Sequence, residues 1–277
     1  MSYTPLQIAE AYIQAGELSD AVDVLAQHLE ANPEDDTARR LRAQVLARMS
    51  NDALLRMALA DLNQLKRSTT DDNLWRSIVL EQLGDRASAA GILRELYSAD
   101  PTNERIAERY YWMLFALQQY AEARRILDAM PPTWDWLQKA GDLASEYEGE
   151  VQAIQYYTQA LEHLETQFDT AVDAFSQAIK SHLLASRAQM YAALGQFAKA
   201  DTDYGEAEAL APDDATLIFW HSFVAAGLGD GQRALTLCRA ALEKASDGWR
   251  AQMMETLKVM RDGGRYQALA DAVLSSE

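Results

Sequence analysis

Histidines are the residues of this chain most suited to metal binding or acid–base chemistry. The chain has 277 residues and four histidines, His28, His163, His182 and His221. None of them stands at an established metal-site spacing from another histidine, a cysteine or a carboxylate, and no HExxH segment occurs. His28 is predicted to be a packing residue, because it follows an apolar helical stripe. The histidines therefore predict no metal site.

Nucleophilic and phosphate-binding patterns are also missing from the sequence. Cys238 is the single cysteine, so no intramolecular disulfide forms, and no Cys–His or Ser–His–Asp arrangement is detectable. The segment GLGDGQRAL (residues 227–235) lacks the Lys-Ser/Thr of a P-loop, and no strand precedes it. Carboxylates are abundant but spread over exposed faces. We therefore predict a protein that is not an enzyme, with no catalytic residues and no cofactor.

The charge and the hydropathy of the chain argue against nucleic-acid partners and against insertion into a membrane. The net charge is -17 and the isoelectric point is about 4.6, so a surface of this sign repels phosphate backbones. The first twenty residues lack the basic and apolar regions of a secretory signal, and the longest aromatic–aliphatic stretch, YYWMLFAL (residues 110–117), is too short to span a membrane. We predict an acidic cytoplasmic protein with no nucleic-acid partner and no membrane insertion.

The charge is unevenly distributed near the start of the chain. Residues 1–38 hold eight acidic and no basic side chains, whereas residues 39–76 hold eight basic and four acidic ones. One interpretation is two solvated faces. The other is a local basic patch for an acidic partner.

Alanines recur at a spacing near 34 residues, usually after a turn with glycine or polar residues. Successive members are separated by 37, 31, 34, 30, 47, 34 and 34 residues. The alanines are Ala21, Ala58, Ala89, Ala123, Ala153, Ala200, Ala234 and Ala268. A period of this length is typical of one repeated supersecondary unit.

Each unit is predicted to contain two helices. The second helix carries the recurrent alanine, and the first carries a small residue where its partner crosses. These small residues are Ala9, Ser77, Gly141, Ala188 and Ser222. Several units end in proline, which stops a helix. Such pairs cannot bury their apolar stripes alone, so they are expected to stack into an open solenoid.

These residues resemble the tetratricopeptide repeat family. The sixth unit matches the small, aromatic and proline positions of the family consensus with Ala188, Tyr191, Ala200, Tyr204, Ala207 and Pro212. The fifth unit matches with Leu137, Gly141, Ala153, Tyr157 and Ala160. The resemblance covers nearly the whole chain. It implies an all-α fold, a right-handed α-solenoid of about seven to eight helix-turn-helix repeats.

The departures from the repeat define the predicted domain organisation, a single solenoid domain over residues 1–277. An atypical repeat with irregular helices is expected at about 36–70, because no glycine or proline marks its turn. The long spacing predicts a lengthened helical hairpin at about 150–194, with Asp169 or Thr170 as the N-cap between its helices. This hairpin is either a harmless length variation or a contact arm. A C-terminal cap with a polar end is predicted at about 248–277.

The resemblance also implies a concave groove lined by the first helix of each pair. In the fourth unit it places Arg105, Trp112 and Phe115 on this groove, and in the seventh unit Phe219 and Phe223. Exposed aromatic residues on a groove are a signature of partner binding. These five residues are the predicted partner-binding site. The alternative is that the aromatic residues pack between repeats.

The clamp that some family members use for a C-terminal carboxylate is not present. It needs Lys and Asn at two positions of the first helix, where the first unit has Leu6 and Glu10. We predict a non-catalytic scaffold or adaptor that binds a peptide or helix of another protein in its concave groove. Two alternatives stay open: a ligand-sensing regulatory module, and a structural assembly subunit that uses the lengthened hairpin.

Overall fold

The computed structural model describes residues 3–168, 173–264 and 266–275, and in these ranges the chain is helical. They contain sixteen helices and no β-strand. The predicted all-α fold is therefore confirmed. The helices belong to two compact units, Met1–Met130 and Pro131–Glu277.

The first unit consists of four helical pairs. Its helices are α1 (Pro5–Ala15), α2 (Leu18–Ala31), α3 (Asp36–Arg48), α4 (Asp52–Asn63), α5 (Thr70–Gln82), α6 (Arg86–Ala99), α7 (Glu104–Ala116) and α8 (Tyr120–Ala129). The two helices of each pair pack together, and the second helix of a pair packs against the first helix of the next. This nearest-neighbour stacking is typical of a solenoid.

The second unit also consists of four helical pairs. Its helices are α9 (Trp134–Tyr147), α10 (Glu150–Gln167), α11 (Ala174–Ala193), α12 (Phe197–Leu210), α13 (Ala215–Gly227), α14 (Gly231–Lys244), α15 (Asp247–Asp262) and α16 (Gln267–Leu274). From α9 to α14, the two helices of each pair pack together, and the second helix of a pair packs against the first helix of the next. The last helix, α16, packs against both α14 and α15.

The recurrent alanines lie on the second helix of each pair. The first seven of them, from Ala21 to Ala234, have no exposed surface. The eighth differs from the prediction, since Ala268 is exposed whereas Leu269, Ala270 and Val273 are buried. Because Leu269 and Val273 lie four residues apart, they form the apolar stripe with which α16 contacts its neighbours.

The atypical repeat has regular helices, so the expectation of irregular ones is wrong. Asp35 caps α3, and the Asn51 side chain caps α4 by accepting from two backbone N–H groups. The turn between these helices has no glycine, and Ser50 adopts a φ of 50° there. The Asn51 side-chain cap and the strained Ser50 thus take the place of the glycine or proline that marks the turn in other units.

Arginines of α3 form ion pairs within the first unit. The Arg40 guanidinium contacts the Asp72 carboxylate at 2.9 Å, and Arg42 contacts Asp61 at 2.6 Å. Both aspartates are buried. These two arginines tie α3 to α5 and α4, whereas Arg48, Arg56 and Arg67 of the same basic stretch are exposed.

The two longest helices in the described ranges are α10, with 18 residues, and α11, with 20. The predicted N-cap positions Asp169 and Thr170 lie outside the described residues. The N-cap of α11 is Asp173, whose carboxylate accepts from the Ser176 backbone N–H at 2.8 Å. None of the described helices combines the length and the apolar composition needed to cross a bilayer.

Candidate functional site

The aromatic residues predicted on α7, Trp112 and Phe115, pack with Tyr111 into a cluster that we call the ridge. Trp112 is 43% exposed, and its ring meets Tyr111 edge-on at 5.0 Å and Phe115 at 5.8 Å. Phe115 is half-buried and packs on Tyr120 at 5.6 Å. The ridge therefore offers one exposed indole supported by its neighbours.

Arg105 lies on the first turn of α7, at a distance from the ridge. Seven residues separate it from Trp112, which places it about 10 Å away along the helix axis. Its guanidinium contacts the Asp71 carboxylate at 3.0 Å, and both side chains are largely exposed. The expected pairing of Arg105 with the aromatic residues in one pocket is therefore not seen.

The two phenylalanines predicted on α13 are both buried. Phe219 is 2% exposed and Phe223 is 4% exposed, and their rings meet edge-on at 5.1 Å. The predicted exposure of both residues is wrong, because both rings belong to the core that α13 shares with α14, α15 and α16. Phe223 also lies at the wall of a cavity.

The cavity lies within the second unit and has a volume of about 740 Å³. Residues from α10 to α13, from the end of α15 and from the turn after it surround this space. They are Glu150, Gln189, Ala192, Ala193, Gly195, Phe197, Tyr204, Trp220, Phe223, Val224, Met260 and Tyr266. Five of these twelve side chains are aromatic, so an apolar group entering the cavity meets large, rigid surfaces.

Helix α13 provides one wall of the cavity. Eight of its thirteen residues are buried, as expected for a helix with neighbours on several sides. Trp220 and Phe223 are three residues apart and so lie on the same face, with their rings 5.6 Å apart. Trp220 is only half-buried, which leaves part of its ring accessible from the cavity.

Gly227 allows Phe197 to form another part of the wall. A Cβ atom at position 227 would lie 2.5 Å from the Phe197 ring, closer than any side chain tolerates. The glycine at the end of α13 therefore lets the first residue of α12 pack directly on the backbone. Any larger residue at 227 would displace the Phe197 ring.

Tyr266 completes the aromatic lining from the C-terminal pair. Its φ of 51° is in the left-handed region, which costs a non-glycine residue roughly 1 kcal/mol or more. Its ring packs on Phe223 at 5.1 Å. Backbone strain of this kind is concentrated at functional sites in proteins.

The cavity lining includes polar as well as apolar side chains. Glu150, the first residue of α10, is the one acidic side chain in the lining. Burial raises the pKa of Tyr204, and a hydrogen bond with the Gln189 side chain opposes this only in part. The Tyr204 hydroxyl therefore stays neutral at physiological pH, and Glu150 provides the charge of the site.

A polar cluster around the buried His221 packs against the Tyr204 ring. The His221 ring stacks on Tyr204 with centroids 5.3 Å apart. Its Nδ1 lies 2.6 Å from the Glu208 carboxylate and its Nε2 lies 2.8 Å from Asp201. Arg233 donates to Asp201 at 2.7 Å. Burial alone would lower the pKa of His221, but the hydrogen bonds to Glu208 and Asp201 raise it.

Reasoning from the sequence identified one of the cavity aromatics, Phe223, as a site residue. It missed Trp220, although a residue three positions before Phe223 shares its helical face. The sequence could not identify Phe197 and Tyr266 as lining residues, because their place in the cavity wall depends on how α12 and the C-terminal pair approach α13. Tyr204 was predicted only as a packing residue of the repeat.

The described residues show no group of histidine, cysteine and carboxylate side chains arranged for a metal ion. Cys238 is buried, and burial raises the pKa of its thiol to about 11. A thiol in this state is a poor nucleophile at neutral pH.

Two family models of the tetratricopeptide repeat match the sequence, one over residues 6–45 and the other over residues 80–133. No curated protein matches it.

Solved structures with a similar fold extend the likeness along the chain. A tetratricopeptide repeat protein from Parabacteroides merdae ATCC 43184 is 15% identical, with a TM-score of 0.64, covering 92% of this chain and 96% of its own. BtubC (BKLC) from P. vanneervenii is 14% identical, with a TM-score of 0.52 and coverages of 74% and 91%. The MamA protein is 16% identical, with a TM-score of 0.51 and coverages of 63% and 91%.

The matched segments, the buried recurrent alanines and the stacking of helical pairs within each unit agree with one another. Proteins built from this repeat are generally non-catalytic scaffolds that bind other proteins. This chain carries tetratricopeptide repeats in the two matched segments, residues 6–45 and 80–133, and its helical pairs have the fold of tetratricopeptide repeat proteins.

Proposed function

We propose that this protein is a non-catalytic interaction scaffold that holds a segment of another protein in the aromatic cavity of its second unit. The observation that carries the proposal is the cavity of about 740 Å³ with five aromatic side chains in its lining. Aromatic residues in concave, desolvated pockets dominate binding energy at protein interfaces.

The position of the cavity also supports this proposal. Phe223 is one of the residues that the family resemblance assigns to the groove, and Gln189 and Ala193 lie on the first helix of the preceding pair, α11. A peptide or a helix lying along these first helices would place one side chain in the cavity and the rest of its length on the polar rim.

The most direct test blocks the cavity without touching the core. Ala193 is exposed and lines the cavity, whereas Ala198 is exposed on α12 and does not line it. We expect Ala193→Trp to abolish the partner signal in affinity purification with mass spectrometry from the native host, and Ala198→Trp to leave it intact. Equal capture by both variants would refute the assignment of the cavity.

The ridge on α7 is a second candidate surface for a partner of the same kind. Trp112→Ala is expected to weaken binding by more than about 1 kcal/mol if its exposed indole is an anchor. The change removes an exposed side chain, so the fold should be preserved. Unchanged affinity for the purified partner would restrict the binding surface to the second unit.

The volume of the cavity favours one further candidate, a regulatory module that senses a small ligand. Sites for small molecules have volumes of about 300–1,000 Å³. A metabolite that binds the native state would raise the melting temperature of the wild type but not of Ala193→Trp. A metabolite screen with no such shift would leave the scaffold as the function.

A further inference from the structure

We propose that the group held in the aromatic cavity is a positively charged side chain, a lysine or an arginine of the partner protein, with Glu150 as its counter-charge. This inference rests on the proposed function and specifies the chemistry of the partner. It follows from the charges and the ring faces that surround the cavity.

The first argument is the charge of the lining itself. Among the twelve residues that line the cavity, Glu150 is the one with a formal charge. The remaining polar side chains of the lining, Gln189, Tyr204, Trp220 and Tyr266, carry no formal charge. An anionic occupant would meet this carboxylate in a partly desolvated space, whereas a cation forms a charge-assisted hydrogen bond with it.

The second argument is the aromatic composition of the walls. A lysine or arginine is attracted to the face of Trp, Tyr or Phe within about 6 Å of the ring centroid. The second unit already uses this contact internally, since Lys199 lies 5.1 Å from the Tyr191 ring and Lys139 lies 5.1 Å from Trp136. The long apolar stem of such a side chain would also contact Phe197 and Met260.

The third argument is the charge around the entrance. Residues 131–277 hold 22 acidic and 11 basic side chains, a net charge of -11. Glu146 at the end of α9 and Glu148 in the turn before Glu150 are both exposed. A basic segment would be attracted by this surface and would associate faster at low ionic strength.

Basic groups of α15 and α12, among the residues that the structure describes, have contacts of their own. Lys258 on α15 contacts Glu255 at 3.3 Å, and Arg261 contacts Asp262 at 3.2 Å. On the other side of the cavity, Lys199 is directed to the Tyr191 ring. These contacts leave the Glu150 carboxylate as the group that an incoming cation would meet in the cavity.

Phage-displayed random twelve-residue peptides, selected on the full chain, test this inference. Peptides are kept only if Ala193→Trp abolishes their binding and Ala198→Trp does not, which restricts them to the cavity. We expect these peptides to be enriched in lysine or arginine at one position. Replacing that residue by norleucine or glutamine in the synthetic peptide should weaken binding at least tenfold.

Matched charge variants of the protein locate the counter-charge. Glu150→Gln should weaken binding of the synthetic peptide at least fivefold, whereas Glu146→Gln, which removes an exposed charge outside the lining, should change it less than twofold. Equal effects of the two variants would show only long-range attraction and would overturn the role of Glu150. Thermal unfolding of both variants checks that the fold is intact.

The two proposals fail in different ways. Cavity-dependent peptides without a positive charge, or peptides indifferent to Glu150→Gln, would overturn the cationic occupant and leave the scaffold function standing. If no selected peptide depends on Ala193, both proposals fail.

Discussion

His221 lies between two carboxylates and against an aromatic ring, and this position makes the stability of the second unit depend on pH. Hydrogen bonds with Glu208 and Asp201 raise its pKa above the ordinary value, against the opposing effects of burial and of Arg233. Tyr204, which stacks on the ring, stays neutral in this range. The charged imidazole is thus stabilised by the native state.

We therefore expect the free energy of unfolding to fall as the pH rises. The contribution of His221 is fully present below about pH 6.5, the ordinary pKa, and is lost as the pH passes through its higher folded value. Urea denaturation between pH 5 and pH 9 should show this fall in the wild type and a flatter profile in His221→Gln. His163→Gln, at an exposed position, should keep the wild-type profile.

Gly141 and Gly205 lie on helices of the same unit but differ in their surroundings. A Cβ atom at position 141 would lie 2.5 Å from the buried Tyr157 ring, whereas one at position 205 would meet nothing within 4 Å. Gly141→Ala should destabilise the protein by about 1–3 kcal/mol through overpacking. Gly205→Ala should stabilise it by about 0.5–1 kcal/mol through helix propensity. Urea denaturation of both variants measures the difference, and a stabilising Gly141→Ala would contradict the packing described here.

At the scale of the element, α16 closes the core of the last two pairs. Leu269 and Val273 pack in the same cluster as Cys238 of α14. The Cys238 thiol has no exposed surface, so a thiol reagent reaches it only when these helices separate.

We expect Leu269→Ala to accelerate labelling of Cys238 at least tenfold under native conditions. Removing a buried leucine side chain costs about 2 kcal/mol or more, and a factor of ten corresponds to about 1.4 kcal/mol. Ala268→Ser changes an exposed residue of the same helix and should leave the labelling rate near that of the wild type. Equal rates in the two variants would show that α16 does not protect α14.

The helical pairs could be predicted from sequence because their crossing points are encoded locally. A small residue on each helix and a turn after it recur at a fixed period, and the buried Ala21 to Ala234 follow this pattern. Ala268 departs from the pattern because α16 packs on two helices. Ser50 departs from it because a side chain caps the turn before α4. Phe219 could not be placed, since its burial depends on the approach of α15 and α16, which the repeat does not encode.

At the scale of the whole molecule, each unit is a stack of helical pairs, and the cavity belongs to the second stack. Its walls come from α10, α11, α12, α13 and the C-terminal pair, so several consecutive repeats must fold before the site exists. The sequence predicted a concave recognition surface on the first helices, and Phe223 is the predicted residue that lines the cavity.

The six tryptophans give a direct test of where a partner binds, because each indole N–H yields its own signal in a proton–nitrogen correlation spectrum. Trp220 lines the cavity and Trp112 lies on the ridge, while Trp249 is exposed on α15. Titration of the ¹⁵N-labelled chain with the purified partner segment should shift the Trp220 signal most, and Ala193→Trp should abolish that shift. A Trp220 signal that stays fixed while Trp112 or Trp249 moves would contradict the account.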